Sequence, residues 1–250
     1  MIDVIPDMSF ADYLARPGLS SSFLRAFLRS PAHSQVPVKD TPAMLVGRGI
    51  HCLALEGEEV FLERFAVAPE FSGEGMKKAK VAFMAANLDR EVITLEQRDT
   101  IYACAEALTG HEIAGPLISG GVHEISVFWT LEGIPCKARY DIIGEDYEGA
   151  AYIADIKKTQ DASPWAFGRA VRYTYRYDIQ AAFYTLAPDA PQRFYFLAVE
   201  EKPPFGVAVY RASCETIENA RREIYGALPQ IKKCLETGIY PGYEPTINEI

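Results

Sequence analysis

The chain has 250 residues, 49% hydrophobic and 24% charged, with a net charge of −9. That is enough apolar material to bury a core in one or two domains. No apolar run is long enough to span a bilayer, and the overall acidity argues against loose binding of polyanions through bulk charge.

The N-terminal stretch "MIDVIPDMSFADYL" lacks the basic and apolar regions of a secretion signal. A cytoplasmic location with no membrane partner is therefore expected. The five cysteines are Cys52, Cys104, Cys136, Cys214 and Cys234, widely spaced and with no C-x-x-C. This spacing suits small buried thiols and argues against a zinc ribbon or an Fe–S cluster.

"LSSSFLRAFLRSPAHS" opens on Ser caps and carries Leu19, Phe23, Phe27 and Leu28 on one stripe, a helix that stops at Pro31. "TPAMLVGRGIHCLALEGEEVF" reads as one long buried helix, with Gly47 and Gly49 allowing close packing. "FSGEGMKKAK" reads as a mobile basic loop, and residues 78–115 as helical, closed by Gly110. Next come "HEISVFWTLEG", "IPCKARYDII" and "AYIADIKKT", three strands of an antiparallel meander with a turn at Glu132-Gly133. Two helices over about 163–172 and 177–187 follow, then strands at 194–200 and 206–213 and a helix at about 215–237 capped by Gly238. The expectation is a single α/β (α+β) domain over 1–250. Residues 1–115 form a mainly helical portion that includes His51, and 116–240 form the sheet-bearing core.

Within the meander, Lys137, Arg139 and Asp141 share a face, as do Ile153, Asp155 and Lys157. A hairpin pairing brings Asp141 and Asp155 together. Two converging carboxylates repel unless a proton or cation lies between them, and oxygen ligands of this kind suit Mg²⁺ or Mn²⁺. Lys157 beside them can orient a water or face a phosphate, and Glu124 can join the same edge. The D-x-K spacing alone decides nothing, since ordinary composition yields about one in a chain of this length. A lone His51 in an apolar helix is more often a core residue, and Gln180 and Tyr184, spaced i, i+4, more often a polar helix edge.

From Lys157 to Arg176 there are five basic residues and one acid, a net +4 that leaves −13 for the rest of the chain. Trp165, Phe167, Tyr173 and Tyr175 are interleaved with Arg169, Arg172 and Arg176. Basic plus aromatic is a nucleic-acid signature. A solvated helix with core aromatics is the plainer account.

Five blocks, "GRGIHCLALE", "HEISVFW", "CKARYD", "IADIKKT" and "YDIQAAFYTL", resemble in order and spacing the PD-(D/E)XK nucleases of the RecB/RecE type, and within them the phage exonuclease VIII (RecE)-like exodeoxyribonucleases. The resemblance covers about residues 15–243. It implies a restriction-endonuclease-like αβββαβ core with a mixed central sheet and an N-terminal helical elaboration. By the resemblance, His51, Asp141, Asp155 and the Ile156 carbonyl are metal ligands, Lys157 is the catalytic lysine and Glu124 a further acidic site residue. Gln180 and Tyr184 match a Q-x-x-x-Y motif beside the metal and the DNA end. Arg139 and Arg48 are assigned to phosphate by position alone. Tyr140 stands where relatives often have Pro, and Lys158 where they often have Thr.

The implied activity is Mg²⁺-dependent 5′→3′ degradation of double-stranded DNA from its ends, leaving 3′ tails for recombination. The implied partners are a single-strand annealing recombinase and further copies of the chain in a ring trimer or tetramer. A structure-specific or single-strand nuclease is the alternative enzyme, and a non-catalytic DNA-binding or assembly module the alternative of another class.

Overall fold

The structure is a computed structural model and describes residues 2–6 and 8–247. Its strands are β1 (Asp3–Ile5), β2 (Phe65–Val67), β3 (Glu91–Ile93), β4 (Val122–Leu131), β5 (Ile134–Glu145), β6 (Ala151–Thr159), β7 (Arg193–Glu200) and β8 (Val207–Arg211). Its α-helices are α1 (Phe10–Ala15), α2 (Ser21–Arg29), α3 (Pro42–His51), α4 (Glu58–Arg64), α5 (Met76–Ala85), α6 (Leu95–Gly110), α7 (Ala114–Ser119), α8 (Pro164–Arg169), α9 (Tyr177–Tyr184) and α10 (Cys214–Thr237).

Six strands form one mixed sheet in the order β1-β4-β5-β6-β7-β8. The β6–β7 pair is parallel and every other neighbouring pair antiparallel. The expected meander is β4-β5-β6, and its first turn places Glu132 and Gly133 at positive φ, 50° and 82°. Both residues left-handed is the turn geometry that matches strand twist. The crossover from β6 to β7 runs through α8 and α9, as a parallel pair requires.

Each face of the sheet has its own core. On one, Leu24, Phe27, Trp129, Phe183, Phe194, Phe196 and Ile224 pack α2, α9 and α10 against the strands. On the other, Ile50, Ile101, Leu108, Ile142, Tyr152 and Leu197 pack α3 and α6. Helices on both faces of a mixed sheet make this a three-layer α/β fold.

Several local expectations are corrected. The stretch 41–61 is not one helix: α3 widens into a π turn at Cys52–Glu56 and stops at Gly57, whose φ is +92°. The "FSGEGMKKAK" segment is a loop only at its start, and Met76–Ala85 is helical. β2 and β3 form a small parallel sheet within the portion read as helical, and β1 extends the main sheet beyond β4. Leu19 is not on the α2 stripe. It lies in extended chain bridged to Cys136, and α2 starts at Ser21, capped by Ser20. Cys214 is exposed, unlike the other four cysteines. No helix among the described residues is long and apolar enough to cross a membrane.

Candidate functional site

The site forms where β5 and β6 part. Their ladder runs from Glu145↔Ala151 to Ile142↔Ala154 and then stops. The next residues in register are Asp141 and Asp155. In place of a ladder bond, the Ile156 N–H donates to Asp141 Oδ2 at 3.0 Å.

The alternation of β4 and β5 also reverses here. Cys136, Ala138 and Tyr140 face the α9 layer, whereas Ile142 faces the α3 layer. On β4 the same reversal falls at Glu124, which has φ +56°. His123 pairs with Ile142 and Ile125 with Tyr140, so Glu124 lies across from Asp141. A left-handed glutamate is uncommon backbone, and such outliers concentrate at functional sites.

α3 brings His51 from the other side. Gly49 lets it approach, since a Cβ there would lie 2.4 Å from Ile101 Cδ1 on α6. His51 Nε2 contacts the Ile156 carbonyl at 3.0 Å, and Nδ1 lies 3.3 Å from Asp141 Oδ2. A carbonyl only accepts, so Nε2 carries the proton in this contact. In the neutral ring, the Nδ1 lone pair then faces a carboxylate oxygen. One ligand atom each from His51, Glu124 and Asp141 lie within 4.8 Å of one another.

Asp155 and Lys157 project toward α9. Asp155 is buried; its Oδ1 accepts from Gln180 Nε2 at 2.5 Å, and its Oδ2 lies against the Lys157 ammonium. That Oδ2 is closed to solvent, and the Lys157 ammonium is its charge partner. Lys157 Nζ also sits 4.8 Å from the centre of the Tyr177 ring, a cation–π contact. Burial first, and the Asp155 charge second, push the Asp141 carboxyl up to about 7.

These features fit a divalent cation. Two acceptors face each other at His51 and Asp141, Glu124 lies across from Asp141, and burial together with the Asp155 charge disfavours a bare Asp141 carboxylate unless a proton or cation accompanies it. Oxygen and imidazole ligands of this kind suit Mg²⁺ or Mn²⁺. The compact group is His51, Glu124 and Asp141, so Glu124 is closer to the expected ligands than its place at the strand opening suggested.

Other expected residues take different places. Tyr184 is buried, and its carbonyl accepts from the Tyr140 hydroxyl at 2.9 Å. Gln180 is likewise buried and fixes Asp155. Arg139 pairs with Glu124 and donates to Met8 O and Ser126 Oγ. Arg48 is forked onto Asp40 and pairs with Glu91. Both guanidiniums are paired with acids in this structure.

The basic segment from Lys157 to Arg176 does not form one continuous α-helix. After α8 the chain widens into a π turn at Ala170–Thr174, and Arg176 sits at φ +54°. Arg176 pairs with Asp178 and Glu223. Arg172 lines a cleft with Asp178, Glu215 and Glu223. Arg169 is exposed against the Trp165 ring, 5.1 Å from its centre.

Sequence reasoning missed Tyr177 and Arg25. Arg25 lies 5.9 Å from the Tyr177 ring centre, on the ring that carries Lys157. The Tyr177 signal was present, because Tyr177 and Gln180 are spaced i, i+3 and share a helix face. Arg25 comes from α2, some 150 residues away, with nothing local to mark it.

The mixed sheet, the splayed β5–β6 strands and the acid–lysine pair on β6 define a PD-(D/E)XK-like α/β domain. The chain belongs to the family described as "PDDEXK-like domain of unknown function (DUF3799)", whose model matches residues 20–248. The fold is similar to a crystal structure from Eubacterium rectale described as a "putative exonuclease". That likeness has a TM-score of 0.64 at 13% identity and covers 94% of this chain and 89% of that one. The crystal structure of SSO0001 aligns at a TM-score of only 0.32, with 12% identity over 84% of this chain and 85% of that one, and bears on nothing here. A search of curated proteins finds no match.

Proposed function

We propose that the protein is a metal-dependent deoxyribonuclease that degrades double-stranded DNA from its ends, 5′→3′, and leaves 3′ tails for recombination. The observation that carries the nuclease reading is the pairing of Lys157 with buried Asp155 beside the His51–Glu124–Asp141 group. Acids alone would repel phosphate, and an acid–lysine pair alone would be an ion pair. Together they offer a cation site with an ammonium at its edge. The description of the Eubacterium rectale neighbour supports the same reading. Duplex ends, polarity, the recombination role, an annealing recombinase partner and a ring of copies rest on the five blocks that resemble RecE-type enzymes.

His51, Asp141, Asp155 and the Ile156 carbonyl, with Glu124, would hold Mg²⁺, with Mn²⁺ as substitute. Such an ion lowers the pKa of a bound water and neutralises phosphate charge. Lys157, steadied by Asp155 and the Tyr177 ring, is placed to orient the attacking water or to stabilise charge on the phosphate. Gln180 keeps Asp155 turned toward the lysine. Arg139 holds Glu124 in its left-handed position. A non-catalytic module would need none of these contacts.

The test is digestion of end-labelled duplexes, each strand labelled in turn, with Mg²⁺ and with EDTA. Mg²⁺-dependent release of nucleotides from the 5′-ended strand is expected. Cleavage that persists in EDTA, or none on any DNA, overturns the reading. Preference for tailed or single-stranded substrates would favour the structure-specific alternative, for which the exposed aromatics beside the site speak.

A further inference from the structure

The segment from Pro164 to Tyr177 leaves three large aromatic rings in solvent: Trp165 at 72% exposure, Tyr173 at 72% and Tyr175 at 56%. Trp165 and Arg169 lie one turn apart on α8, and Tyr173 follows in the π turn after it. The Arg169 guanidinium lies against the Trp165 ring. Tyr175 stacks on Tyr177 with ring centres 5.4 Å apart, and Tyr177 carries Lys157 on its ring. Arg25 donates to the Tyr175 carbonyl at 3.2 Å and reaches over Tyr177. The segment thus begins in exposed aromatics and ends against the lysine of the site.

We propose that this aromatic strip binds unpaired nucleotides by stacking their bases, and so feeds a single-stranded stretch toward Lys157. The proposal rests on the nuclease reading for its direction toward the site, but not for the binding itself. Duplex DNA hides the faces of its bases and presents phosphates and groove edges, against which exposed rings gain little. Unpaired bases offer faces to every ring, and Arg169 and Arg25 supply positive charge for the backbone between them. Base–aromatic stacking is sequence-tolerant for the same reason. A docked protein or a second copy would cover the approach to Lys157, whereas a strand lying on the strip ends at it. On a duplex end, the strip would take the frayed strand.

The chain has two tryptophans. Trp129 is buried at 4% exposure, so quenching by an added oligonucleotide reports on Trp165. The experiment titrates the full chain, in Ca²⁺, with an oligothymidylate of about twelve nucleotides and with an abasic oligomer of equal phosphate number. Oligothymidylate should quench the fluorescence and bind at least roughly fivefold more tightly than the abasic oligomer. In the Trp165→Ala/Tyr173→Ala variant, altered only at exposed positions, affinities read by the anisotropy of end-labelled oligomers should lose that difference, with abasic binding unchanged. Equal binding of the two oligomers by the wild type overturns the strip. So does a double variant that binds oligothymidylate normally yet sediments as a smaller species, which would make the strip a contact between copies. Base-dependent quenching without cleavage of any DNA would remove the nuclease reading and leave the strip. Cleavage without base-dependent quenching would do the reverse.

Discussion

Asp141 Oδ2 accepts the Ile156 N–H at 3.0 Å at the point where the β5–β6 ladder has ended. One oxygen therefore closes the splay between the strands and faces the His51 ring. Asp141→Asn keeps an acceptor for that N–H and removes the charge. Metal affinity should fall at least about tenfold, equivalent to roughly 1.4 kcal/mol, with the fold retained. Asp141→Leu should also lose about 1–3 kcal/mol of stability by stranding the N–H. Calorimetric titration with Mn²⁺ and thermal melting measure both, and unchanged affinity in Asp141→Asn would take Asp141 out of the metal site.

The same carboxyl sets a pH dependence. Its folded pKa of about 7 lies above the ordinary carboxylate value, chiefly through burial. Between the two values the folded chain binds more protons than the unfolded one. Its contribution to stability is present below about pH 4 and is lost as pH rises through about 7. With metal removed by chelator, urea unfolding should show lower stability at pH 8 than at pH 5, and Asp141→Asn should flatten that difference. Metal binding near pH 6 should release up to about one proton, read as a dependence of calorimetric heat on buffer ionisation.

The catalytic sheet was legible because its signals are local. Alternation named the faces of β6, and Glu132-Gly133 named the turn before β5. What escaped was tertiary. β1, β2 and β3 are three residues each, and only their partners make them strands. The reversal of faces at Glu124 and Asp141 has no counterpart in residue type. Arg48 looked free because its partner Glu91 is 43 residues away. Gly57 was the missed local signal, a glycine that ends the π turn following His51. Of the site, the shared face of Asp155 and Lys157 could be read from strand alternation alone, while the side Asp141 takes depends on the reversal and the contact between His51 and Ile156 on how α3 packs.

Lys157→Ala tests the chemistry, and it also carries a cost in stability. Lys157 is the cation beside the buried Asp155 carboxylate. Removing one partner of a buried pair costs about 3–5 kcal/mol when the other charge is left uncompensated; Gln180 remains, so the lower end is expected. The Lys157→Met/Asp155→Asn double variant should recover much of the melting temperature. Single-turnover cleavage by Lys157→Ala should fall at least about a hundredfold. Cleavage near the wild-type rate would remove the lysine from the mechanism.

Gly49→Ala probes how α3 delivers His51. The new methyl would meet Ile101, whose side chain is fully buried and has little room to yield. Overpacking of this kind costs about 1–3 kcal/mol. His51 is two residues further on, so metal affinity should drop together with stability. Adding Ile101→Ala should restore the affinity even where it leaves the protein less stable. Loss of stability with unchanged metal affinity would show that His51 does not depend on this contact.

Arg169, Arg172 and Arg176, the three arginines of the basic segment, should behave as three different residues. Arg176 sits in left-handed backbone and is held by Asp178 and Glu223. Arg172 lines a cleft with those two acids and Glu215, where a phosphate would meet negative charge. Arg169 is exposed and rests on the Trp165 ring. A phosphate contact releases counterions, and its loss flattens the slope of log affinity against log salt by about 0.9 for duplex DNA and about 0.7 for a single strand. Arg169→Ala should flatten the slope by nearly that much. Arg172→Ala should change it little, and Arg176→Ala should leave it alone while lowering the melting temperature. The effect of Arg169→Ala should be equal across sequences, because phosphate contacts carry no base information. Equal flattening by all three would mean that DNA opens the Arg176 ion pairs and draws the three guanidiniums onto one strand. The break at the π turn would then be a feature of the DNA-free protein alone.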